Sequence, residues 1–565
     1  MRISGGNRLK TRQTLVASLA ACTLMLGLPA CGGGGGPGGG TGAGTGGSSN
    51  AGTQAPATNA GTGGSGTVQK TNTTPGKAPP IGVQPVENTP AARMPEHADH
   101  APLAGPGPQP AVSAQAMAET AATTPAHDWV VSPNGNDGAE GSEAAPLRTI
   151  GMAVSKAGPG DRIRVLAGTY AERVVLGDNA KAGTPEAKIT LQGEGLPKLT
   201  PGSGSGAAVQ VRRPNWVIDG FDIDVEGQPI FGVTFEGDVQ GSVLANSDLH
   251  NGTGGAGVTF FNNAKGPTIE NNNIHDFVRT TGNKDSHGIV MQPASYDVTV
   301  RNNDIHDNSG DSVQCLGPEG FSQLPPATGL LVENNHFFNN RENAVDIKTC
   351  HDVIIRNNRM HHFLPSETAK GDVVVIHYSA NNVLVEDNEV YDGAKGISVG
   401  GNHEGPVPQS VVVRRNRVHD ITDAGGGEGT AIRLENSKGT VVVNNTITRS
   451  RAGIILGHGT GGPTEALRVE NNLVDSPISV DMGGQAPGLK MSNNLYPAGT
   501  QFKNNGQLQA LDAFKSAVGD STSNGGDVTV SELFAPSPAA QDKGLDQGQP
   551  FCGAAPDIGA VELGC

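Results

Sequence analysis

From about Val243 to Asn494 the chain repeats one pattern: a short apolar-alternating run, a turn, a second short run, and an Asn-Asn pair. In the unit Asn339–Arg359, Val345 and Ile347 alternate with Asp346 and Lys348, the period-two mark of a strand with one buried face. A turn at Thr349–Asp352 leads to a second strand, Val353–Ile355, and then to Asn357-Asn358. The second Asn of successive pairs falls at Asn272, Asn303, Asn335, Asn358, Asn388, Asn416, Asn445, Asn472 and Asn494, with Ser247 before them. Eight steps between Asn272 and Asn494 make about 28 residues per step, which predicts one turn of a three-strand solenoid. Asn suits the corner because it tolerates left-handed backbone and its amide can bond to its equivalent one coil away.

The other strand of each coil aligns Val258, Ile289, Val313, Val345, Val374, Ile397, Ile432, Ile454 and Ile478 as inward residues. The second residue after each, from Phe260 and Met291 to Leu456 and Val480, is expected inward too. Residues between and beyond point out: Gln292, Gln314, Asp346, Lys348, His377, Arg433 and Glu435. Three residues after each corner stands His250, His275, His306, Phe338, His361, Tyr391 or His419. The five histidines suggest a metal column, but Phe and Tyr in the same slot favour rings stacked coil on coil.

Before the repeat, 128–137 reads as a strand and turn and Pro146–Ala157 as a one-faced helix. This opening resembles the N-terminal cap and first coil of extracellular right-handed parallel β-helix proteins. Beyond Asn494, Leu508–Val518 is predicted helical, and Ala554–Glu562 resembles their closing strand. The fold expected is therefore an all-β, right-handed parallel β-helix over 127–500 with a C-terminal cap over 501–565.

Basic residues Arg2, Arg8, Lys10 and Arg12 precede an apolar run, Leu15–Leu28, too short to span a membrane. The sequence Leu28-Pro29-Ala30-Cys31 resembles a bacterial lipoprotein signal over 1–30, with Cys31 lipidated. Cys22 is a competing match with a shorter apolar run, and an ordinary secretory signal is the alternative. Residues 31–126, rich in Gly, Thr, Ala, Pro and Ser, are expected to be a disordered tether. The chain is accordingly expected outside the cytoplasm, at the outer membrane or cell surface, as a monomer. Cys552 and Cys565 are the favoured disulfide; pairing of Cys315 with Cys350, at non-equivalent positions, is left open. The net charge of −16 argues against a nucleic-acid partner, and the 4% aromatic content suits a charged polymer better than a stacked neutral one.

The richest outward cluster is Asp311, Glu342, Asn343, Asp346, Lys348 and His377. Asp311, Glu342, Asn343 and Asp346 are candidate Ca²⁺ ligands, since calcium takes six to eight oxygens. Lys348, on the face of Asp346, is a candidate base for removing a proton beside a uronic-acid carboxylate, and His377 a candidate proton donor to the leaving oxygen. Gln314 and Arg433 are candidate substrate contacts. The segment Asn340–Asp346 resembles the calcium turn of the family-nine pectate lyases, although their lysine would fall at Val375. The segment Glu342–Cys350 equally resembles the catalytic segment of the alginate lyase/chondroitinase B-like family, whose base corresponds to Lys348; that family usually acts with an Arg near the position of His377. These resemblances imply a calcium-assisted lyase on acidic polysaccharide. The alternatives are a non-catalytic β-helix adhesin or glycan-binding protein, or a hydrolase or epimerase, which needs carboxylates at a set separation. Against any chemistry stands a simple solvated rung, worth well under about 1 kcal/mol.

Overall fold

A computed structural model describes residues 125–202, 205–279, 285–316, 324–401, 406–459, 464–484 and 486–565. The expected signal, Cys31 and all of the tether but its last two residues lie outside them, as do parts of the loops 317–328 and 401–409. Three 14-stranded sheets run the length of the described chain, each built from every third strand. The first sheet begins at Asp128–Val131, the third at Thr169–Ala171 and the second at Val174–Leu176; the chain visits them in the order first, third, second, first. Nearly all pairings are parallel and in register. The chain is a right-handed parallel β-helix, as its rhythm predicts.

Its interior is one continuous apolar stack. Val258, Ile289, Val313, Val345, Val374, Ile397 and Ile432 pair successively and have no exposed surface. Near the end the predicted alignment slips by two: Ile454 lies opposite Val480, not Ile478, and Leu456 opposite Met482. A two-residue shift keeps the same faces inward, so the alternation is blind to it.

The corners between first and third sheets divide their labour. The first residue of each pair is left-handed, as at Asn271 (φ 57°), Asn302 (56°) and Asn357 (54°). The second is fully buried, and its amide oxygen accepts the backbone N–H and the Nδ2–H of its predecessor. Asn303 serves Asn272 this way at 3.0 Å, and Asn388 serves Asn358 at 3.0 Å. The ladder starts at Ser247 and passes beyond Asn494 to Ser523. The seven rings do stack, with His275 and His306 centroids 5.1 Å apart at 2° and Tyr391 and His419 4.9 Å apart at 3°. Phe534 lies next to the last of them.

The helix expected near the start spans Ile150–Lys156, its first turn capped by the Thr149 hydroxyl. The C-terminal helix begins later than predicted, at Leu511, because Gln507–Gln509 instead forms an antiparallel hairpin with Gln501–Asn504. The expected closing strand at Ala554–Glu562 does not form. The C-terminal stretch 543–557 returns along the corners, where the side chains of Asn493, Asn471 and Asn444 donate to the backbone carbonyls of Lys543, Leu545 and Asp557. Corner amides, not a free sheet edge, are what the segment meets there. Both disulfides form, Cys552–Cys565 and Cys315–Cys350.

Candidate functional site

The second sheet places the candidate residues in three outward columns. Val290, Gln314, Asp346, Val375, Ser398 and Arg433 lie side by side in strand register. Lys348 and His377 occupy the next column; the His377 N–H donates to the Ile347 carbonyl at 2.9 Å. A third column, two residues before each inward valine or isoleucine, holds His287, Asp311, Asn343, Asp372 and Lys395. Asp311, Asp346 and Lys348 therefore share one face, as the repeat requires.

This rung is not solvated. Asp311 is completely buried, and Gln314, Glu342, Asn343, Asp346, Lys348 and His377 are each under a tenth exposed. Asp346 is the hub. Its Oδ1 meets His377 Nε2 at 2.7 Å, while Oδ2 lies 3.9 Å from Lys348 Nζ and 3.5 Å from Gln314 Nε2. Burial by itself would raise the Asp346 carboxyl, but His377 and Lys348 outweigh it and hold it below the ordinary carboxylate range. Gln314 Nε2 also donates to Asp311 Oδ2 at 2.8 Å, so one amide ties the two acids together.

The opposite environment surrounds the other acids. Burial pushes Asp311 up, only partly countered by His287. Burial, reinforced by Asp311 and Asp285, pushes Glu342 up to about 7. Asp311 Oδ1 accepts the Asn343 N–H at 3.0 Å, and the Thr368 hydroxyl donates to Glu342. Behind Glu342, Arg341 and Arg279 converge on Asp285. The disulfide Cys315–Cys350 lies directly beneath, pinning the residue after Gln314 to the turn after Lys348.

The four expected calcium ligands are not held as one set. Asp346 is turned to His377 and Lys348, and Asn343 Nδ2 donates to the Asp372 carbonyl at 2.8 Å. Asp311 and Glu342 gather instead with His287. One nitrogen and two carboxylates are not the oxygen-rich shell calcium takes, so this set does not fit calcium. The sequence reading missed His287; counting two residues back from Ile289, as from Val313 to Asp311, would have found it. Of the expected substrate contacts, Gln314 lies inside the network. Arg433 stands apart, its guanidinium held between Glu428 and Glu435.

A sequence profile described as a right-handed beta helix region matches residues 322–474. No curated protein matches the sequence. Among solved structures the chain is similar to pectate lyase Pel9A (TM-score 0.38, 15% identity, 78% of this chain and 97% of that one). It is similar too to a PL6 alginate lyase in complex with a trisaccharide (0.48, 14%, 72% and 90%). A third is the GH136 lacto-N-biosidase from Eubacterium ramulus (0.35, 12%, 66% and 67%). The residues that the profile matches lie within the parallel β-helix.

Proposed function

We propose that this chain is a lyase that cleaves a uronate-containing polysaccharide by β-elimination. The observation that carries the reading is Asp346, an ionised, buried carboxylate contacting a lysine and a histidine presented from adjacent coils. Lys348 Nζ, in its neutral form, takes the proton from the carbon beside the uronate carboxylate and becomes the ammonium; the electron pair forms the C=C bond as the glycosidic C–O bond breaks. His377, one coil on, delivers a proton to the departing oxygen. Asp346 touches neither reacting atom; it positions both groups. Gln314 holds Asp346 in turn. The polymer is acidic, consistent with few aromatic side chains for stacking neutral sugars.

The same reading places the protein outside the cytoplasm as a monomer anchored through Cys31. Two disulfides among the described residues support an oxidising compartment. A non-catalytic glycan-binding role is the second reading, favoured by how fully Asp346, Lys348 and His377 are buried. The test is incubation with pectate, alginate and chondroitin, following the ultraviolet absorbance of the unsaturated product. Activity lost in Lys348→Ala supports the lyase; no product on any polyuronate, with binding retained, establishes the second reading instead.

A further inference from the structure

We propose that His287, Asp311 and Glu342 form a binding site for one d-block divalent cation of the Zn²⁺ or Mn²⁺ type, in place of calcium. The three residues come from consecutive coils: His287 from the strand Ser286–Met291, and Asp311 and Glu342 from the turns before Val313–Cys315 and Val345–Ile347. One ligand atom from each lies within 4.8 Å of the other two.

The decisive contact is between two acceptors. His287 Nδ1 accepts the Asp311 backbone N–H at 2.9 Å, which makes it the unprotonated nitrogen of the ring. The same Nδ1 stands 3.2 Å from Asp311 Oδ2. A lone pair and a carboxylate oxygen at that separation repel unless a positive particle lies between or beside them. Asp311 is wholly buried and Glu342 nearly so, so bulk water does not relieve the repulsion. Two ligand atoms on one tetrahedral zinc stand roughly 3.4 Å apart, close to what is found. Two carboxylates and a neutral imidazole carry the charge a divalent ion balances. The nitrogen selects d-block ions over calcium, which prefers oxygen throughout. Three protein ligands leave a fourth position for water or a substrate oxygen.

The other occupant that would relieve the contact is a proton, carried by Asp311 or by His287 Nδ1, and the experiment separates metal from proton. The purified full chain is stripped with chelator, then titrated calorimetrically with Zn²⁺, Mn²⁺ and Ca²⁺, and bound metal is counted by mass spectrometry. Expected is one equivalent of Zn²⁺ or Mn²⁺ retained against excess Ca²⁺. His287→Ala should weaken it at least about 100-fold, the upper end of what loss of an outer partner costs, while Asp346→Asn should retain it. X-ray absorption at the zinc edge of the loaded wild type, which needs no variant to fold, should show one imidazole and carboxylate oxygens. No stoichiometric metal, an all-oxygen shell, or Ca²⁺ binding abolished by Asp346→Asn would each overturn the site. None of these readouts depends on turnover, so the site and the lyase reading stand or fall separately.

Discussion

Asn388→Ala tests the corner ladder most directly. Asn388 has no exposed surface. Its Oδ1 accepts both the Asn358 N–H and Nδ2–H at 3.0 Å, and its Nδ2 donates to the Ile355 carbonyl and to Asn416 Oδ1 at 2.9 Å. Removing the side chain strands two buried donors on Asn358 and one donor's worth of bonding at Ile355; Asn416 Oδ1 keeps the Asn388 backbone N–H at 3.1 Å. At about 1–3 kcal/mol for each buried group left unsatisfied, the expected loss is at least about 3 kcal/mol. The chain itself supplies a partial rescue. Ser523 fills the equivalent slot opposite Asn494, its hydroxyl 3.0 Å from the Asn494 nitrogen and 3.4 Å from its Nδ2. Asn388→Ser should therefore recover part of the loss by restoring one acceptor. Urea unfolding, with the slope checked for constancy between variants, reads both effects. An alanine variant within about 0.5 kcal/mol of wild type, or a serine variant no better than alanine, would refute the ladder as a stabilising device.

Four further outcomes are expected. Asp346→Asn should lower polyuronate cleavage by about 10–100-fold and Lys348→Ala by at least about 100-fold, measured at saturating substrate; a Lys348→Ala enzyme with full turnover removes the proposed base. Cys350→Ser opens a cross-link spanning 35 residues and should cost about 4 kcal/mol in the chain-entropy account, seen as a lower thermal midpoint that reductant no longer shifts at this bond. His275, hydrogen-bonded to Asp248, is raised to about 9. A group raised on folding stabilises fully below its unfolded value, about 6.5, and loses that contribution as pH rises through about 9. His275→Gln should thus be destabilising at pH 6 and nearly silent at pH 10 by thermal melting; an equal effect at both would assign His275 to stacking alone.

The coils, their corners and the ring column were legible in the sequence because each recurs at one spacing, and an in-register solenoid repeats its chemistry every turn. The face shared by Asp311, Asp346 and Lys348 followed from the same counting. What counting could not supply was pairing within the face. It treated four oxygen-bearing residues as one ligand set; only the folded chain shows Asp346 drawn to His377 and Lys348 while Asp311 turns to His287. Nor could alternation detect the two-residue slip that sets Ile454 against Val480, or the tail that lies along Asn444 and Asn471 instead of adding a strand. Periodicity records which side a residue faces, whereas partner choice and burial depend on side-chain reach across coils and on non-repeating segments that settle over them. The sequence by itself thus determined the stack and its faces, and tertiary structure decided which charges meet.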